Sequence, residues 1–241
     1  MNSNHPIKAV FFDLDGTLRH SVPSGGEVFS DYVTTLGLQV SHEDRLRATR
    51  WEHLYWANSP DLRDDLIAHS GDTENFWIEY SRRRLIALGA APEWALSYAP
   101  KVSMHMGAEY RPKSVIPDDV RRALAALKTS GYFMAVLSNR DKPFQETLDT
   151  HKISEFFAFC MAGGEVNSYK PEPGLFEHAL KRANLTASEA VYVGDNYFAD
   201  VVGARRAGMT PILYDPLGVF PETDSITIKT FDELNSAIKA L

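Results

Sequence analysis

The sequence has one cysteine, no excess of basic charge and no long apolar run, and each shortage closes off a class of function. Cys160 is the single cysteine among 241 residues, so the chain can form no internal disulfide and no multi-cysteine zinc site. It sits in the apolar run Phe156-Phe157-Ala158-Phe159-Cys160-Met161, where a buried, inert thiol is expected rather than a nucleophile. Basic residues number 25 against 32 acidic ones, a formal net charge of −7. That balance argues against a nucleic-acid-binding face and leaves room for a local basic pocket that takes a small anion. No segment approaches the ~20 apolar residues a membrane helix needs. Met1 to Pro6 are polar, without the basic-then-apolar build of a signal peptide. A cytoplasmic protein with no membrane partner is expected.

What is present suffices for a packed core. The hydrophobic fraction is 44% and the aromatic fraction 11%, too rich for a disordered chain, and the length suits one or two units. Lys8-Ala9-Val10-Phe11-Phe12 is a short apolar run that ends abruptly in Asp13-Leu14-Asp15-Gly16-Thr17. Without strict alternation, such a run reads as a strand buried on both faces of a parallel sheet. Similar runs follow at Tyr132 to Leu137, Phe157 to Met161, Ala190 to Val193 and Pro211 to Tyr214, with Ile226 to Ile228 as a candidate edge strand. Helical patterns fall between them, at Asp118 to Ser130, Pro173 to Asn184 and Phe198 to Ala207. The alternation predicts an α/β fold with a doubly wound, Rossmann-like parallel sheet.

The stretch from Arg19 to Pro112 breaks that rhythm. It carries no convincing strand, but amphipathic helices can be read at Glu27 to Leu36, from Ser41 through Trp51, Leu54 and Tyr55, at Asp72 to Leu88, and from Pro92 onward. Ser41 and Asp44 have capping-box spacing. The expected organisation is therefore a core of residues 1–18 and 113–241, with an inserted all-helical domain of residues 19–112. Its aromatic residues, Trp51, Tyr55, Trp56, Phe76, Trp77, Tyr80 and Trp94, are expected to form the insert's own core, and Arg82-Arg83-Arg84 a solvated helix face. His20 stands where the chain enters the insert and is a weaker candidate for touching substrate.

In parallel sheets of this kind, ligands bind beyond the carboxyl ends of the strands. The polar residues of this chain collect there. Asp13 and Asp15 follow the first strand, Ser138 and Asn139 the second, Asp195 and Asp200 the fourth, and Lys170 precedes the helix leading into the fourth. Four acids, a hydroxyl and an ammonium in one crevice are costly unless a cation and an anion bind. A magnesium ion (Mg2+) plus a phosphate meets the demand. Asp13 can act as a nucleophile and form an aspartyl-phosphate. Asp13, Asp195 and Asp200 can supply side-chain oxygens to the metal, and Asp15 its backbone carbonyl. That leaves the Asp15 carboxyl free as general acid and base. Ser138, Asn139 and nearby N–H groups can hold phosphoryl oxygens, with Lys170 offsetting charge.

These residues resemble the four motifs of the haloacid dehalogenase-like hydrolase superfamily: Asp13-Leu14-Asp15-Gly16-Thr17, Leu137-Ser138-Asn139, Lys170-Pro171, and Gly194-Asp195 with Asp200. The resemblance covers Ile7 to Leu18 and Val115 to Tyr214, in order and spacing. It implies a phosphoric monoester hydrolase with the roles just given, acting on a small phosphorylated metabolite, and makes the insert a cap over the substrate. A dehalogenase is disfavoured by Asp15, because those enzymes lack an aspartate two residues past the nucleophile. A Schiff-base phosphonate enzyme is disfavoured because Lys101 is the insert's only lysine. A phosphomutase and a non-catalytic phosphometabolite-binding protein stay open, as does the choice between monomer and homodimer.

Overall fold

The computed structural model describes residues 7–241; the polar stretch Met1 to Pro6 lies outside the described residues. In chain order the elements are β1 (Ala9–Phe12), β2 (His20–Val22), α1 (Gly25–Thr35), α2 (His42–Trp56), α3 (Pro60–Ala68), α4 (Thr73–Ala87), α5 (Pro92–Glu109) and β3 (Lys113–Val115). There follow α6 (Asp118–Thr129), β4 (Phe133–Ser138), α7 (Gln145–Thr150), β5 (Phe159–Ala162), α8 (Gly163–Val166), α9 (Gly174–Ala183), β6 (Ala190–Gly194), α10 (Val202–Arg206), β7 (Thr210–Tyr214), β8 (Ile226–Ile228) and α11 (Leu234–Lys239). The chain divides into two compact units, Met1–His20 with Val115–Leu241, and Ser21–Ser114.

The first unit is an α/β fold built on a six-stranded sheet in the order β5-β4-β1-β6-β7-β8, all pairs parallel. β1 lies inside the sheet, with Phe12 level with Val136 of β4 and Val193 of β6. Every residue of β1 is buried, as expected of a strand covered on both sides. Its side chains alternate between two cores. Val10 and Phe12 pack with Val120, Leu124 and Leu127 of α6. Ala9 and Phe11 pack with Leu175, Phe176 and Ala179 of α9. The helical spacing of those apolar residues is what lets each helix lay one stripe on one face. α6 closes at Gly131, whose φ of +82° only glycine adopts freely.

The second unit is helical. Phe29 and Val33 of α1, Ala48 of α2, Leu85 of α4 and Ala95, Ala99 and Val102 of α5 form its core. The capping box at α2 is formed: Asp44 N–H donates to Ser41 Oγ at 3.1 Å, and Ser41 N–H to Asp44 Oδ2 at 2.9 Å. Trp51, Tyr55, Tyr80, Phe76 and Leu62 make a second cluster. Three elements here were not expected. α3 has a single buried leucine, with Leu66 and Ile67 exposed, so it offers no apolar stripe to read. β2 and β3 form a two-stranded sheet; at three residues each they are too short to leave a periodic signal.

The arginine run corrects another expectation. Arg84 is buried rather than solvated. It pairs with Glu52 of α2, donates to the Tyr80 hydroxyl at 2.9 Å, and lies 5.0 Å from the centre of the Phe29 ring. Arg83 pairs with Asp65 of α3 at 2.9 Å and with Asp61 at 3.2 Å. Neighbouring helices supply counter-charges that nothing local in the sequence announces. Arg84→Met should destabilise the protein by about 2 kcal/mol, because Glu52 is left partly buried without its partner. Chemical denaturation measures this, and Glu52→Gln in the same chain should recover part of the loss.

Candidate active site

The chain leaves β1 at Phe12, and Asp13 N–H still donates to Val193 O at 2.9 Å. This carries the strand pairing one residue further and delivers the Asp13 carboxylate at the carboxyl end of the sheet. The carboxylate is buried and accepts from Lys170 Nζ at 2.6 Å. The same ammonium donates to Asp200 Oδ1 at 2.6 Å and to the Tyr192 hydroxyl at 2.9 Å. Lys170 is itself fixed from behind. Its N–H donates to Asn139 Oδ1 at 2.6 Å, and Asn139 Nδ2 donates back to Lys170 O at 2.8 Å. The Asn139 side chain thus ties the end of β4 to the lysine loop.

Asp195 lies at the carboxyl end of β6. Thr17, fully buried, donates through Oγ1 to Asp195 Oδ1 at 2.8 Å and accepts from Asp195 N–H at 2.9 Å. Asp200 follows in a wide, π-type first turn, Tyr197–Val201, ahead of α10. The helix expected from Phe198 to Ala207 therefore begins with a widened turn. Asn196 caps it, Oδ1 accepting from the N–H groups of Phe198 and Ala199 at 3.0 Å, and Asn196 N–H donates to Asp200 Oδ2 at 2.9 Å. A widened turn re-aims side chains and recurs at functional sites. Two carboxylates rest directly on bare backbone. A Cβ on Gly16, whose φ is +94°, would lie 2.4 Å from Asp195 Oδ2, and one on Gly194 would lie 2.3 Å from Asp200 Cγ.

Asp13, Asp195 and Asp200 can each bring one carboxylate oxygen within 4.8 Å of the others. Three carboxylates against one ammonium leave two negative charges in excess, the demand a divalent cation meets. The electrostatics agree. Burial, opposed by Lys170 and reinforced by Asp200, pushes the Asp13 carboxyl up to about 7. Burial likewise raises Asp200. Burial would lower Lys170, yet Asp13 and Asp200 hold it well above the ordinary lysine value. The ammonium is satisfied while the acids around it are crowded. An all-oxygen set of this kind fits a hard ion such as magnesium.

The Asp15 carboxylate is outside this triad and faces two arginines. Arg140 donates from Nε at 2.8 Å and from Nη2 at 3.0 Å, and Arg19 from Nη1 at 2.5 Å. Burial would raise Asp15, but Arg140 and then Arg19 outweigh it and hold the acid below its ordinary value. Ser138 ends β4 and is buried. His20 Nε2 lies 3.1 Å from Thr17 O, and its ring meets Tyr214 edge-on. Cys160 is half-buried rather than fully buried, with its thiol against Gln145 and its pKa raised by burial.

A family model described as haloacid dehalogenase-like hydrolase matches residues 7–208. The chain belongs to the haloacid dehalogenase-like hydrolase family. Among curated members it is 30% identical over 241 residues to a phosphoserine phosphatase of Thermus thermophilus, covering 90% of this chain and 91% of that one. It is 28% identical over 205 residues to a phosphoglycolate phosphatase of Pseudomonas savastanoi, covering 84% of this chain and 67% of that one. A solved haloacid dehalogenase-like phosphatase from Thermococcus onnurineus superposes with a TM-score of 0.54 at 25% identity, over 95% of this chain and 97% of that one.

Sequence reasoning did not single out Tyr192, Thr17, Arg19 or Arg140 for this family site. For Tyr192 a signal existed, since a hydroxyl in the middle of a buried strand must find a partner. It donates to Leu137 O at 3.0 Å while accepting from Lys170. Arg140 directly follows Ser138-Asn139, and a cation at that strand end was the readable clue.

Proposed function

We propose that this chain is a magnesium-dependent phosphatase that hydrolyses a small phosphorylated metabolite through a phosphorylated Asp13. One observation carries the reading: a buried carboxylate at the end of β1, held at 2.6 Å by a buried lysine, beside two further carboxylates. The phosphatase relatives support the substrate class.

Asp13, Asp195 and Asp200, with the Asp15 carbonyl, would hold magnesium, which when bound supplies the positive charge that lets a carboxylate approach a phosphate dianion. Asp13 then attacks phosphorus; its oxygen forms the new bond and the ester oxygen leaves with the electron pair. The Asp15 carboxyl gives that oxygen its proton. Water next attacks the phosphorylated Asp13 while Asp15, now ionised, takes its proton, releasing phosphate and restoring Asp13. Arg19 and Arg140 beside Asp15 favour the charged carboxylate, the form from which this second step would start. Ser138, with the backbone N–H groups of Asn139 and the turn after β4, holds the phosphoryl oxygens, while the Asn139 side chain stays on the lysine loop. Lys170 offsets their charge from a position set by Tyr192 and Asn139. The single cysteine accords with a reducing, cytoplasmic setting.

Turnover of an aryl phosphate before and after chelation tests the metal. A fall of about hundredfold or more, reversed by added magnesium and not by sodium, is expected. Full activity in excess chelator would sink the metal-dependent reading.

A further inference from the structure

We propose that Arg140, assisted by Arg19, selects substrates that carry a second anionic group close to the phosphoester. The inference rests on the phosphatase reading and deepens it. Asp15 must reach the leaving oxygen to protonate it. Arg140 holds the same carboxylate through two hydrogen bonds. The guanidinium therefore lies within two hydrogen-bond lengths and one carboxylate of the leaving oxygen, about 8 Å at the most. A carboxylate or phosphate one to three carbons along the leaving alcohol falls within its reach.

The guanidinium is built for such a role. It comes from the turn after β4, a third of the Arg140 side chain is exposed, as is a comparable part of Asp15, and its Cζ lies 5.6 Å from the centre of the Phe144 ring. Nη1 donates to Thr147 Oγ1 at 3.2 Å, so the plane is oriented from α7 as well as by Asp15. Of its five N–H groups, three are engaged, on Asp15 and Thr147. An incoming anion can take the others, or displace Asp15 from one. A bidentate guanidinium is suited to either a carboxylate or a phosphate. Arg19, which donates to the same Asp15 Oδ1 as Arg140 Nη2, adds positive charge to the same corner.

Matched esters test this without naming a physiological substrate. Phosphoglycolate is compared with 2-hydroxyethyl phosphate, which replaces the carboxylate by an alcohol. 1,3-Propanediol bisphosphate is compared with 3-hydroxypropyl phosphate. The wild-type enzyme should show kcat/KM at least tenfold higher for the anionic member of one pair, and that pair identifies the group as carboxylate or phosphate. In Arg140→Ala the ratio should collapse toward one, with Arg140→Lys intermediate. A residue that only positions Asp15 would lower both members together and leave the ratio intact. A wild-type ratio near one in both pairs, or a ratio unchanged in Arg140→Ala, overturns the inference even if 4-nitrophenyl phosphate is hydrolysed well. Failure to hydrolyse 4-nitrophenyl phosphate as well as all four esters removes the phosphatase reading itself, and this inference with it.

Discussion

Asp13→Asn should lower kcat on an aryl phosphate by about 10⁴-fold or more while leaving a folded protein. The amide keeps the shape and can still accept from Lys170 but cannot form the proposed phosphorylated intermediate. Stability should hold or rise. The Asp13 carboxyl is pushed up to about 7, chiefly by burial, so its negative charge is a burden to the fold that the neutral amide lifts. A thermal melt and a single-turnover assay together decide the matter. Residual turnover within tenfold of wild type would show that another group attacks phosphorus.

Lys170→Met should act on stability and activity at once. The ammonium contacts Asp13 and Asp200, both at 2.6 Å, and is almost wholly buried. Removing it leaves two buried carboxylates facing one another, a loss of about 3–5 kcal/mol where a buried pair is broken from one side. The rate should fall by about 10³-fold, because a positive charge is lost where negative charge develops. Added magnesium should restore part of the stability and little of the rate, since a divalent ion can offset the carboxylates without replacing the hydrogen bond to Asp13. Denaturant titrations with and without the ion measure the first, and steady-state kinetics the second. A variant as stable as wild type in the absence of metal would contradict the charge balance drawn for this site.

The sheet was legible because burial on both faces requires uninterrupted apolar runs, and such runs are local. β1, β4, β6, β7 and the edge strand β8 lie within one or two residues of where the runs stand. The helices α6 and α9 announced themselves through spaced leucines that the structure buries. α3 did not, since Leu66 and Ile67 face water, although Ser59 and Pro60 formed a readable start. The acids were legible because their backbone positions follow strand ends, and Lys170 because it stands just ahead of the helix leading into β6. What joins them was not. Tyr192 supports Lys170 across 22 positions, and Arg140 reaches Asp15 across 125. Partnerships of that kind are set by strand order, which residue types do not encode. Arg84 escaped notice because the packing of α4 on α2, which is no more local, brings Glu52 beside it.

The bare backbone under Asp195 and Asp200 bears on engineering. Glycine to alanine is a common stabilising exchange, worth about 0.4–1 kcal/mol where the backbone permits it. Gly194 closes a strand, where a conformational argument alone would invite the exchange. At that position and at Gly16, the added methyl group would have to occupy volume already held by an aspartate. Hardening this protein against heat should therefore draw on sites elsewhere in the chain. Any library that randomises positions 16 and 194 should return inactive clones, however well they fold.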